Sequence, residues 1–260
     1  MSRLKEVFAD KKAFIAFLTA GDPDADSTVS YILEMERAGA DLIEIGIPFS
    51  DPTAEGIVIQ EASLRALKGG MTTEGAFRIV ERVRERSRVP LVFMTYLNPV
   101  FHYGYEKFFA RCRSLSMDGI IIPDLPYEEK EEVDRVAAEY DIDVISLIAP
   151  TSEERIKSIA GEAKGFIYVV SSLGVTGMRK EITTDIGSMV KAIREATDTP
   201  CAIGFGISTP EQAAKMAGYG DGVIVGSAIV KLIEEYGVNA KEAVYEYVKK
   251  MKDAICKNGS

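Results

Sequence analysis

Eight short apolar runs punctuate the chain: Phe14–Thr19, Leu42–Ile47, Leu91–Tyr96, Gly119–Ile122, Val144–Ile148, Phe166–Val170, Ala202–Phe205 and Gly222–Val225. Each is nearly continuous in Ile, Val, Leu and Phe rather than alternating with polar residues. That pattern suits strands covered on both faces, as in a parallel sheet. Amphipathic stretches fill the intervals. Ser27–Ala38 sets Val29, Ile32 and Leu33 on one face, and Gly39 offers a C-cap. Gly75–Ser87 does the same with Phe77, Val80 and Val83, and Thr151 and Glu154 have the spacing of a capping box. Gly104–Leu115, Tyr127–Tyr140, Thr184–Thr197, Pro210–Tyr219 and Ala240–Lys257 complete the series, with extra helical stretches near Glu61–Lys68 and Ala228–Tyr236. Eight strands, each followed by a helix, predict an α/β fold: a single-domain (β/α)8 TIM barrel over 1–260 with additional short helices. An open doubly wound sheet is the rival, but it usually uses fewer strands at this length.

Charge and composition remove several function classes. Thirty-one Lys and Arg against forty Asp and Glu leave a net charge of -9. Nucleic acid and anionic membranes are therefore not expected as partners. No apolar run approaches the ~20 residues of a membrane span, and Met1–Lys12 lacks a secretory apolar core, so a cytoplasmic location is expected. Three widely spaced cysteines, Cys112, Cys201 and Cys256, give neither a disulfide framework nor a CxxC zinc site. A lone histidine, His102, cannot build a His-rich metal site.

In a barrel, reacting groups sit at the C-terminal ends of the strands. The sharpest such residue is Glu44, inside the otherwise apolar Leu42-Ile43-Glu44-Ile45-Gly46-Ile47. A buried carboxylate costs several kcal/mol unless paired, hydrogen-bonded or neutralised, and a raised pKa suits a general acid–base. A structural carboxylate satisfied by neighbouring hydroxyls is the alternative. Gly177, Gly206 and Gly226-Ser227 fall at the tops of strands 6, 7 and 8. Small residues there let backbone amides and a helix dipole hold a phosphate. No strand carries a Lys, so a Schiff base is not expected. A phosphate site with carboxylates points to metal-free proton transfer on a phosphorylated small molecule. Isomerisation, elimination and carbon–carbon cleavage all remain open.

Leu42-Ile43-Glu44-Ile45-Gly46-Ile47-Pro48-Phe49-Ser50-Asp51-Pro52 resembles the signature of the tryptophan synthase alpha subunit family. Phe17-Leu18-Thr19-Ala20-Gly21-Asp22-Pro23, Asn98-Pro99-Val100-Phe101, Gly174-Val175-Thr176-Gly177 and Gly204-Phe205-Gly206-Ile207-Ser208 follow in the family's order. The resemblance implies a lyase that cleaves indole-3-glycerol phosphate to indole and glyceraldehyde 3-phosphate in tryptophan biosynthesis. It implies Glu44 as the acid–base and a carboxylate, Glu55, on the indole N–H. Phe17, Tyr96 and Tyr168 would line the site, and Thr176 would sit on a mobile loop. Gly177, Gly206, Gly226 and Ser227 would take the phosphate. No cofactor is implied here; pyridoxal phosphate belongs to a beta subunit partner in an alpha2beta2 assembly. The surfaces around Pro48–Asp51 and Asn98–Phe101 would face that partner. Thr53-Ala54-Glu55-Gly56-Ile57 departs from the family's Leu-Ala-Asp-Gly-Pro, with Glu55 for Asp and Ile57 for Pro, and Ser171-Ser172-Leu173 stands where an Arg often does. Glu55 keeps a second reading in play, a weakly active alpha-like protein that docks on and activates a beta subunit; a third, a phosphate-binding barrel with another substrate, is opposed by Glu44 in the strand 2 signature.

Overall fold

The computed structural model describes residues 3–170, 185–204 and 206–256. Among them are nine strands: β1 Ala13–Thr19, β2 Leu42–Gly46, β3 Leu91–Met94, β4 Gly119–Ile121, β5 Asp143–Val144, β6 Ser146–Ile148, β7 Ile167–Val170, β8 Cys201–Gly204 and β9 Gly222–Val225. They pair in the order β5-β4-β3-β2-β1-β9-β8-β7-β6, and every pair is parallel. The two ends of this sheet, β5 and β6, are halves of one stave, so the sheet curls into a nearly closed barrel.

That stave is the run expected as a single strand over Val144–Ile148. It breaks at Ile145, whose N–H donates to the Ile120 carbonyl at 2.8 Å. Before the break the stave pairs with β4, Ile120 opposite Val144; after it, with β7, Ser146 opposite Ile167.

Side-chain alternation explains the unbroken apolar runs. Ile15, Phe17, Leu42, Val92, Met94, Ile121, Tyr168, Ala202 and Ile224 point into the barrel. Phe14, Ala16, Leu18, Ile43, Ile45, Phe93, Val169 and Ile203 point outward into the layer beneath the helices. Both faces are thus removed from water, at about 1.5–3 kcal/mol for each large apolar side chain.

The helices start where side chains can satisfy their orphan amides. Asp24 accepts from the Ser27 N–H at 2.7 Å to open Ala25–Arg37. Thr209 and Gln212 form a capping box ahead of Pro210–Ala217. The capping box expected at Thr151 and Glu154 gives way to a single cap one residue later: Ser152 caps Glu153–Gly161 and accepts from the Arg155 N–H at 3.3 Å. The helical pattern near Glu61–Lys68 begins earlier, as Ile57–Lys68. Helix Leu97–Tyr103 was not legible, because Asn98-Pro99 reads as a loop. Proline is tolerated in a first turn, and Asp124 accepts from the Leu97 N–H at 2.9 Å to hold that turn.

Candidate active site

Glu44 follows Leu42 on the inward face of β2, in register between Phe17 of β1 and Val92 of β3. It is 1% exposed, and neither carboxyl oxygen meets a hydrogen-bond partner among the described residues. The hydroxyl-satisfied alternative therefore finds no hydroxyl partner. Burial pushes the carboxyl from 4.5 up to about 8, because the apolar wall disfavours the anion. Near neutral pH Glu44 holds its proton.

Glu55 stands on the loop between β2 and helix Ile57–Lys68. Two bonds fix that loop: the Gln60 amide donates to the Glu55 carbonyl at 2.7 Å, and the Ala54 N–H donates to the Tyr96 hydroxyl at 3.0 Å. Glu55 Oε2 is buried without a hydrogen-bond partner among the described residues, and burial raises its carboxyl to about 7. Ile57 is the first helical residue and is 72% exposed. A proline would suit that position equally well, so the Ile57 departure leaves the helix start in place.

One cavity joins these carboxylates with most of the other expected site residues. Phe17, Glu44, Glu55, Tyr168, Gly206, Gly226 and Ser227 line it, together with Ile59, Met94, Ile207 and Ile224. Tyr96 is not among the lining residues. It lies behind the Glu55 loop, against Phe49 with ring centroids 5.4 Å apart. Burial, then the neighbouring Glu55 charge, raises its hydroxyl to about 12. Thr176 and Gly177 lie outside the described residues. Met94 and Ile224 share strand parity with inward Val92 and Gly222, a signal alternation could have given. Ile59 needed the true helix start.

Backbone is bare where the ring and the phosphate would approach. A Cβ at Gly204 would fall 2.5 Å from the Tyr168 hydroxyl oxygen, so Tyr168 owes its seat to that glycine. The Tyr168 hydroxyl is pushed well above its ordinary value by burial and then by Glu44. Gly206 has φ +83°, and Gly226 is the uncapped start of helix Ser227–Tyr236. No Lys or Arg is among the described residues lining this cavity. A second cavity, about 440 Å³, lies beside the first on the same barrel face, among Ala54, Ile122, Leu125, Ile145, Leu147 and Val170.

The family model described as tryptophan synthase alpha chain matches residues 3–256. The chain belongs to the tryptophan synthase alpha chain family. It is 50% identical over 255 residues to the tryptophan synthase alpha chain of Lacticaseibacillus casei, covering 98% of this chain and 96% of that one. It is 49% identical over 251 residues to that of Caldanaerobacter subterraneus subsp. tengcongensis, covering 95% of each. Among solved structures, the Legionella pneumophila alpha chain superposes with a TM-score of 0.90 at 35% identity, covering 100% of this chain and 99% of that one. A chain of the Pyrococcus furiosus tryptophan synthase a2b2 complex gives 0.85 at 39% identity, over 92% and 97%. As a tryptophan synthase alpha chain, the protein is a TIM-barrel lyase of tryptophan biosynthesis that cleaves indole-3-glycerol phosphate. The similarities favour neither a docking-only role nor another phosphorylated substrate. No described helix is long and apolar enough to cross a membrane.

Proposed function

We propose that Glu44 moves the protons of the cleavage and that Glu55 holds the indole N–H. The observation that carries this reading is the pair of buried carboxyls, each with an unpartnered oxygen, on one cavity. Cleavage puts one proton on indole C3 and takes one from the C3′ hydroxyl. The C3–C3′ bond then breaks, its electron pair returns to the ring, and C3′ becomes the aldehyde carbon of glyceraldehyde 3-phosphate. One proton on and one off means that a single carboxyl starting neutral ends neutral. Glu44, protonated below about 8, meets that requirement. Protonation at C3 leaves positive charge on the ring nitrogen, and an ionised Glu55 would offset it. Phe17, Tyr168 and Met94 would receive the ring. Gly206, Gly226 and Ser227 would take the phosphate through backbone amides and the helix dipole, with Gly177 and Thr176 completing that side. The scheme asks no cofactor of this chain.

The whole chain, 1–260, would act as one barrel domain in the cytoplasm, with a pyridoxal phosphate-bearing beta subunit in an alpha2beta2 assembly. Phe101, 66% exposed, gives the Asn98–Phe101 surface an apolar contact of the kind a partner would cover.

The direct test is to mix the purified chain with indole-3-glycerol phosphate and assay indole against pH. kcat/KM should rise through about 7 as Glu55 ionises and fall above about 8 as Glu44 loses its proton. A profile flat from pH 6 to 9 would remove both groups from the chemistry.

Glu55→Asp should lower the rate by ~10–100-fold. The loop backbone is pinned by Tyr96 and Gln60, so the shorter side chain would hold its carboxylate ~1 Å back, and a displacement of that size costs about that much. Glu55→Ala is the control. If neither substitution changes indole formation, Glu55 is not the group on the ring nitrogen.

A further inference from the structure

Glu55 and Gly226-Ser227 lie at the heads of two neighbouring helices, Ile57–Lys68 and Ser227–Tyr236. Both helices begin on a glycine N-cap that supplies no side-chain hydrogen bond. A glycine cap adds no side-chain tie at either head, and the side-chain link from one helix to the other lies further along. Arg65, two turns into the first helix, forks onto Asp22: Nε donates to Oδ1 at 2.9 Å and Nη2 to Oδ2 at 2.8 Å. Its remaining nitrogen, Nη1, donates to Glu234 of the second helix at 3.4 Å. Asp22 is 2% exposed, on the turn that leaves β1. Lys231 donates to the other Glu234 oxygen at 2.6 Å and secures it.

We propose that Arg65 is a positioning residue that keeps the Glu55 carboxylate and the phosphate-binding end of helix Ser227–Tyr236 in one register. The proposal rests on the roles given above to Glu55 and Gly226-Ser227. A helix is a stiff rod with 1.5 Å rise per residue, so a shift at Arg65 arrives at Gly56 almost undiminished. The guanidinium is suited to this task because its planar fork binds a carboxylate in a fixed orientation while a third donor reaches elsewhere. Lysine carries the charge without the fork. Removing the cation altogether would leave Asp22 buried and unpaired, a fault of stability rather than of position.

The test uses the full chain with Arg65→Lys and, separately, Glu234→Gln. The readouts are kcat and KM for indole-3-glycerol phosphate, the competitive inhibition constant of glycerol 3-phosphate, and Tm. Arg65→Lys should lower kcat by about tenfold and weaken glycerol 3-phosphate several-fold, because both ends of the site lose their common anchor. Glu234→Gln leaves the Asp22 fork intact. It should weaken glycerol 3-phosphate at least threefold while Tm stays close to that of the parent protein. A lowered Tm with unchanged kcat, KM and inhibition constant in the folded fraction would make the cluster purely structural and overturn the proposal. If Arg65→Lys does not fold, Glu234→Gln decides alone, and parental inhibitor affinity there overturns it. Glu55→Gln is run alongside. A parental rate in that variant would sink the Glu55 assignment, while the inhibition constants still judge Arg65.

Discussion

Glu44→Gln should abolish indole formation and leave the barrel folded. The amide matches the carboxyl in shape and in its neutrality near pH 7, so packing against Phe17 and Val92 survives. It cannot give up or take back a proton, and positioned proton transfer contributes about 10²–10⁴-fold to a rate. Stability supplies an internal control. The folded-state pKa of Glu44 lies near 8, above its ordinary 4.5. In this window the folded state binds more protons than the unfolded one, so stability falls as pH rises from about 4.5 through about 8. The variant is free of that loss. Its Tm should therefore gain on the parent protein between pH 5 and 8, while its activity is absent throughout. Retention of more than about a tenth of the rate would withdraw the acid–base role from Glu44.

The second large effect is on binding. Gly206→Val should raise KM for indole-3-glycerol phosphate by more than tenfold. Gly206 adopts φ +83°, a region a β-branched residue enters only at a cost of order 1–3 kcal/mol. Even a protein that absorbs that strain would present two methyl groups where the proposed assignment brings the phosphate against bare backbone. Gly226→Val meets a related obstacle, since its Cβ would fall 3.1 Å from the Phe17 ring. Because no Lys or Arg is among the described residues lining the cavity, affinity for glycerol 3-phosphate should decline only mildly with salt if the phosphate binds there. A parental KM in Gly206→Val, or inhibition that collapses at moderate ionic strength, places the phosphate elsewhere.

Strand positions were legible because a parallel barrel buries both faces of each strand, and that leaves a signal in every run. Glu44 stood out for the same reason: one carboxylate in an apolar strand is conspicuous. Features that depend on which neighbour a loop meets were not legible. The role of Tyr96 as a support for the Glu55 loop comes from a hydroxyl contact with Ala54, across a sequence distance that no spacing encodes. The start of helix Ile57–Lys68 carries no capping side chain, so its first turn had no marker. The Arg65 cluster joins residues from three separate elements and is visible only once they are packed. Asp124, a polar residue at the top of β4, turns out to be engaged as a helix cap.

The break at Ile145 has a mechanical meaning. A cylinder of strands joined edge to edge cannot widen locally without giving up ladder bonds. Beyond the Ile145–Ile120 bond, the fifth stave pairs with β7 and no longer with β4. The upper rim is thereby slit along one line, and the 440 Å³ cavity lies against that slit. On that side the cavity wall is made of side chains such as Ile122 and Leu147. The hydrogen-bonded ladder is thus continuous on both sides of Glu44 and interrupted beside the second cavity.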